Sequence, residues 1–383
     1  MTKPLPTLLK IVSGSDLGGV KTVEIAFIRV LQTRGVRVIG VIIGKGPTTQ
    51  QYSQVFDKSI IIFDPLPNFG NRFSRILNLI KSEIKTHSAW IHFKNQISGT
   101  LHESNILAVG VTRPYYLKFA GLIARTLTCR AYWHMPNSVN NPFMALYYRY
   151  LLSAYPIIPV GNSFFSLRSI GINGGHVVYP GFHTTRIANN RNDKDIRNNN
   201  NIPNDTIVFG FAARIIYDKA PDIVLKAFLK SEPFRNGAHL IFAGGPLDNE
   251  IGQYLQDQSK RCGNGQIHFV GHLEDIVKFF SSINVFINGR RRAEPFGISI
   301  AEALASGIPV ISYKLGGPSE MIEHGINGWL VQSPTSDAYQ KAINEAWYRR
   351  DSWLKMGQEA IHRTKYLNVE NQVVNYMKIL GLN

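Results

Sequence analysis

The chain has 383 residues, 44% of them apolar, with 42 Lys and Arg against 26 Asp and Glu for a formal net charge of +16. That length gives room for two ordinary domains, and the apolar share is that of a soluble globular protein, which argues against disorder. There is no apolar run of about eighteen residues, which argues against a membrane-spanning helix, and the two cysteines, Cys129 and Cys262, match no metal or redox spacing and suit a reduced cytosol.

In chain order, residues 8–13 read as a first strand, with Lys10 inside the apolar stretch, and not as a secretory signal. The turn Gly14-Ser15-Asp16-Leu17-Gly18-Gly19 follows, then an amphipathic helix stopped by Gly35, then a strand over 36–43. Strand, Gly-rich turn, helix and strand make a βαβ unit. Further strands are expected over 59–63, 89–93, 106–111, 131–134 and 157–160, with helical stretches between several of them. Residues 186–205 are Asn-rich with almost nothing a core could use, and read as a linker or long surface loop. The alternation then restarts, with strands expected over 207–212, 240–243, 267–270, 285–287 and 310–313. The architecture expected is α/β, two doubly wound Rossmann-like domains facing across a cleft, with ligands outside the carboxyl ends of the strands.

Charge is unevenly divided. Residues 1–185 hold 19 Lys and Arg against 6 Asp and Glu, whereas residues 186–383 hold 23 against 20. A basic half-protein faces phosphates, on nucleic acid, on anionic lipid or on an acidic substrate. Residues 72–85 put Phe73, Ile76, Leu77, Ile80 and Ile84 on one side of a helix and Arg72, Arg75, Lys81 and Lys85 elsewhere. Such a helix can lie on an anionic membrane or simply pack on the sheet.

Several motifs carry chemistry. Gly18-Gly19-Val20 lets a backbone approach an anion at a helix N-terminus, although the spacing is not G-x-G-x-x-G and a tight turn is an equal reading. Arg214 ends a strand and Lys219 precedes a helix, so two cations converge on one sheet edge and suit a diphosphate. Glu294 stands before Pro295-Phe296-Gly297, and Glu302 lies within the helix that starts near Ile298 and ends at Gly307. A second turn, Gly316-Gly317-Pro318, leads from a strand into another short helix.

The ordered series Arg214…Lys219, Gly244-Gly245-Pro246, Phe269-Val270-Gly271, Glu294-Pro295-Phe296-Gly297…Glu302-Ala303, Gly307-Ile308-Pro309-Val310 and Gly316-Gly317…Glu320 resembles the retaining GT-B glycosyltransferases of family 4, the glycosyl transferases group 1 set. The match is dense over 207–331 and loose before it. The resemblance implies an N-terminal acceptor domain over 1–185, a nucleotide-sugar domain over 206–365, and a final segment, 366–383, that crosses back onto the first domain. It implies that Arg214 and Lys219 hold the donor diphosphate, aided by backbone near Phe296, Gly297 and Ile298 and by Gly19. Glu302 would bind the ribose and the backbone around Leu273 the base. Glu294 would contact the transferred sugar and stabilise positive charge at its anomeric carbon, with His134, in Tyr132-Trp133-His134-Met135-Pro136-Asn137, near the reacting sugar. No cofactor and no metal are then required, the nucleotide diphosphate sugar (UDP- or GDP-linked) being the donor substrate.

Two departures stand out. Lys219-Ala220 replaces the usual Lys-Gly, and Asn288-Gly289-Arg290-Arg291-Arg292 replaces the usual Pro-Ser, leaving three arginines that either contact phosphate or are solvated. Asp193-Lys194-Asp195 mimics a metal-binding D-x-D but sits in the Asn-rich stretch, without flanking apolar residues. The expected protein is cytoplasmic and peripheral on the inner face of the membrane, where a glycan or lipid-linked acceptor would meet the basic domain. A sugar-nucleotide epimerase of the same fold, a non-catalytic sugar-nucleotide binder and a nucleic-acid binder remain rivals. The last lacks any recognition motif, so no nucleic acid is expected.

Overall fold

The computed structural model describes residues 5–15, 19–62, 75–97, 105–182 and 195–382. They form two compact units, residues 1–181 with 369–383 and residues 182–368.

The first unit is built on a seven-stranded sheet. Its strands are β1 (Thr7–Ser13), β2 (Arg37–Ile43), β3 (Lys58–Ile62), β4 (Ile106–Val111), β5 (Arg130–Met135), β6 (Ile157–Gly161) and β7 (His176–Val177). All neighbours pair in parallel in the order β3-β2-β1-β4-β5-β6-β7. Every residue of β1 is buried, as expected of a central parallel strand covered on both faces. Alternation divides the core: Leu9, Ile11, Val109 and Trp133 pack on one face, and Leu8, Val12, Tyr132 and Val160 on the other. The second face is closed by the helix Gly19–Thr33, through Phe27 and Ile28, and by the helix Val369–Ile379, through Val373 and Tyr376. Phe27 and Tyr376 meet edge to face at 5.0 Å, and the Tyr132 hydroxyl donates to the Ile379 carbonyl at 3.2 Å.

The strand expected over 89–93 does not form; those residues lie within the helix Arg75–Ile97. Thr86, Ala89 and Phe93 are buried while Ile91 stays exposed, which is helical spacing and not alternation. A five-residue apolar run carries too little periodicity to separate the two. Most of the basic stripe expected over 72–85 lies outside the described side chains.

The second unit has six parallel strands, β8 (Val208–Ala212), β9 (His239–Ala243), β10 (Ile267–Gly271), β11 (Val285–Asn288), β12 (Val310–Tyr313) and β13 (Gly328–Val331), in the order β10-β9-β8-β11-β12-β13. From β8 the chain winds outward to β10, then returns to lay β11 on the other side. The switch point therefore lies between the ends of β8 and β11, where open α/β sheets bind ligands.

The end of the Asn-rich segment is not a loop. Asp195–Asn199 is a helix of the second unit, and Arg197 is buried there. Its guanidinium donates to the carbonyls of Ser282, Pro203, Asn204 and Thr206 and to Asn284 Oδ1. One arginine with five acceptors, together with buried Ile196 and Ile202, anchors a stretch that is otherwise polar. Residues 186–194 lie outside the described residues.

Candidate functional site

The chain leaves β8 through Arg214, which is exposed, and forms a short turn of 3-10 helix, Tyr217–Lys219. Ala220 follows with φ 51° and ψ 42°. That left-handed conformation is open to glycine and costs an L-residue about 1 kcal/mol. Pro221 then opens the helix Pro221–Leu229 at a position where its missing N–H is harmless.

The segment after β11 lies directly on this turn. A Cβ on Gly289 would come within 2.4 Å of Val224 and 3.0 Å of the Ala220 carbonyl, so only glycine permits the approach. The three arginines that follow are stitched to the turn and not solvated as a group. Arg290 reaches Asp218 at 3.3 Å. Arg291 pairs with Asp222, donates to the Tyr217 carbonyl and stacks 3.7 Å from the centre of the Tyr217 ring. Arg292 is exposed, 3.7 Å from Asp218.

Glu294, 9% exposed, is the focus of this arrangement. Lys219 Nζ lies 3.0 Å from its Oε2 and Arg290 Nη1 lies 2.5 Å from its Oε1. Burial pushes the carboxyl up, but the Lys219 and Arg290 charges and their hydrogen bonds outweigh it and hold Glu294 below the ordinary glutamate range. Its backbone is fixed by the turn after β12. Glu294 N donates to the Leu315 carbonyl and Gly317 N to the Glu294 carbonyl. A Cβ on Gly316 would sit 2.1 Å from the Glu294 carbonyl oxygen, which accounts for a second glycine turn here.

Phe296 is buried and Gly297, φ 94°, caps the helix Ile298–Ala305. The first helical N–H groups there precede any intrahelical bond. Glu302, on the second turn, is half-buried and its carboxyl has no hydrogen-bond or ion-pair partner among the described residues. Burial pushes its carboxyl up to about 7. Beside this, Arg214, Gly244, Gly245, His272, Leu273 and Ile276 line a pocket of about 240 Å³.

The second unit thus gathers Arg214 and Leu273 at one pocket, and Lys219, Glu294, Phe296, Gly297, Ile298 and Glu302 along one strand-end edge. The motif pattern does not reveal the bracing acids Asp218 and Asp222, the role of Arg290, or His272; acids flanking Lys219 opposite an arginine trio are the signal that could have found the first three. Of Asp193-Lys194-Asp195, the first two lie outside the described residues, and Asp195 pairs with Lys278 at 3.1 Å. Among the described residues no three His, Cys, Asp or Glu side chains form a metal-binding set.

Gly19 and His134 belong to the first unit. Gly19 opens the helix Gly19–Thr33, and Gly18 is outside the described residues. His134, at the end of β5, is buried with Nε2 3.1 Å from the Val178 carbonyl. A carbonyl only accepts, so Nε2 carries the proton and Nδ1 keeps its lone pair. Burial and the Lys10 charge hold the imidazole below its ordinary range, against Glu24 and the Val178 carbonyl, so the ring is neutral.

Two parallel α/β units with a switch-point site define a GT-B fold, and known structures of that fold match the whole chain. Anabaena HepE in complex with UDP and glucose aligns with a TM-score of 0.75 at 18% identity, covering 98% of this chain and 99% of that one. Sucrose-phosphate synthase from Thermosynechococcus elongatus aligns at 0.74 and 16%, covering 98% of each. The family model described as Glycosyl transferases group 1 matches residues 192–363. Relatives include the lipopolysaccharide 1,2-N-acetylglucosaminetransferase of Salmonella typhimurium, 30% identical over 165 residues, which are 41% of this chain and 43% of the relative. The D-inositol 3-phosphate glycosyltransferase of Streptomyces griseus is 30% identical over 151 residues, 37% of this chain and 32% of the relative. The chain spans less than half the length of either relative.

Proposed function

We propose that this protein is a retaining, metal-independent glycosyltransferase that moves a sugar from a UDP- or GDP-linked donor to a hydroxyl of a glycan or lipid-linked acceptor. The observation that carries this reading is Glu294 held ionised by Lys219, on the strand-end edge that also bears Arg214 and the helix N-terminus at Gly297. In this reading Arg214, Lys219 and the N–H groups near Gly297 and Ile298 hold the diphosphate. The base occupies the pocket at Leu273, and Glu302 accepts the ribose hydroxyls. Glu294 stabilises positive charge at the anomeric carbon.

The anomeric carbon–oxygen bond breaks with its electron pair passing to the leaving diphosphate. The acceptor oxygen bonds the same face of the carbon, and its proton passes to a diphosphate oxygen, which gives retention. Fixed cations aimed at the leaving group supply the stabilisation a metal would otherwise give.

Calorimetry with UDP, GDP and ADP tests the donor site. One nucleotide should bind selectively, and Arg214→Ala should weaken it by about tenfold or more, as expected for loss of a charge-assisted contact. Binding of none of the three sinks the reading.

The acceptor side is carried by the first unit. Residues 104–192 contain no Asp or Glu and eight Lys or Arg. On the helix Pro142–Ala154, Phe143, Leu146 and Tyr150 are 81%, 63% and 62% exposed at helical spacing. This face suits a peripheral contact with the anionic inner leaflet. Flotation with phosphatidylglycerol vesicles should retain the wild type and lose Phe143→Asp/Leu146→Asp; equal recovery of both excludes this helix.

A further inference from the structure

We infer that Arg290 is a positioning residue for Glu294, holding its carboxylate ionised and aimed while a bound diphosphate takes up the Lys219 ammonium. The inference deepens the proposed donor site and depends on that reading.

Two cations serve one carboxylate here, one on each oxygen. They are not equivalent. Lys219 is 21% exposed and sits at the switch-point edge, on a flexible stem with donors to spare. Arg290 is braced from behind: Nη1 meets Glu294 Oε1 and Nη2 meets Asp218. Its Nε is buried with no acceptor, so the guanidinium is held by its two terminal nitrogens. Gly289 presses the segment onto the Ala220 backbone, and Arg291 clamps the same segment through Asp222 and Tyr217. Arg290 therefore cannot follow an incoming phosphate without leaving Asp218, whereas Lys219 can.

The consequence is a division of labour. Without a ligand, Lys219 and Arg290 both neutralise Glu294. A diphosphate competes for Lys219 and adds negative charge of its own, and both effects favour protonation of Glu294. The charges facing Glu294 are Lys219 from the turn before the helix Pro221–Leu229 and Arg290 from its own segment, with Asp218 behind Arg290. Gly316 and Gly317, packed on its backbone, bring none. Arg290 is thus the counter-charge left to Glu294 when Lys219 is engaged.

The test is a carboxyl-carbon NMR titration of protein labelled at the glutamate δ-carbon, with and without saturating UDP, the Glu294 signal being assigned by its loss in Glu294→Gln. In the wild type Glu294 should titrate below the ordinary range in both states. In Arg290→Ala it should stay low without UDP and move up once UDP binds, and Arg290→Lys should reverse most of that move. UDP affinity should change by less than about threefold, since Arg290 donates nothing to phosphate. An unchanged Glu294 titration in the UDP complex of Arg290→Ala overturns the inference, as does a loss of UDP affinity of about tenfold or more, which would make Arg290 a phosphate ligand. If Arg290→Ala does not fold, Arg290→Gln and Arg290→Lys carry the same comparison. Wild type that binds no UDP, GDP or ADP overturns the donor reading itself, and this inference with it.

Discussion

In the first unit Lys10, on the central strand, meets Glu24 at 2.9 Å with side chains 1% and 7% exposed. In the second, Lys219 meets Glu294 at 3.0 Å with side chains 21% and 11% exposed. The two pairs look alike in geometry and differ in company. The first is closed by protein: the Thr112 hydroxyl donates to Glu24 at 2.6 Å, Lys10 donates to Thr112 at 3.3 Å, and Lys10 lies 5.7 Å from the Phe27 ring centre. Burial pushes Glu24 up, yet the Lys10 charge and the hydrogen bonds from Thr112 and Lys10 hold it low. The second pair keeps an open side at a switch point. A buried pair that is fully enclosed acts on the fold, whereas one that is partly open can exchange its partner for a ligand.

The largest effect should come from breaking the enclosed pair. Glu24→Ala strands a buried ammonium and should cost about 3–5 kcal/mol of stability, while Lys10→Met/Glu24→Leu should recover most of it. Urea melts of the two variants decide this, and equal losses would show that the pair is not a unit. Next, Glu294→Gln should lower sugar transfer by about a hundred- to a thousandfold, with a melting temperature near wild type. A large loss of stability instead would put Glu294 in the same class as Glu24 and erase the contrast.

The smallest effect concerns Glu302, an acid in the second unit whose carboxyl has no partner among the described residues. Its folded value of about 7 lies above the ordinary 4.5, so the folded protein holds an extra proton between them and loses stability as pH rises through that window. Glu302→Gln should therefore stabilise by about 1–2 kcal/mol at pH 8 and by little at pH 4.5, while weakening nucleotide binding. Melts at the two pH values and one calorimetric titration check both halves. A uniform stability gain would mean that the carboxyl's charge is not the cause.

Much of the fold was legible because the central strands are short β-branched runs buried on both faces, bounded by glycine turns. The segment 89–93 misled because five apolar residues fit either period, and β7 and β13 are too short or too mixed to stand out. At the site, Glu294, Glu302 and the glycine turns were legible as motifs. The arginine trio was visible but its pairing was not, because its acids, Asp218 and Asp222, lie about seventy positions earlier and meet it only through the sheet. Lys10 was visible as a charge in an apolar strand, but its partner Glu24 is separated from it by a strand end, a turn and a helix start.

The helix Val369–Ile379 belongs to the first unit although the chain reaches it only after the whole of the second. During synthesis the first sheet therefore leaves the ribosome with the face meant for Val373 and Tyr376 uncovered, and it keeps that face through the translation of 182–368. At about 5–20 residues per second this is a wait on the order of ten seconds or more. Over that interval the nascent chain presents an apolar surface to chaperones, and a chain truncated within the second unit lacks the residues that close the first.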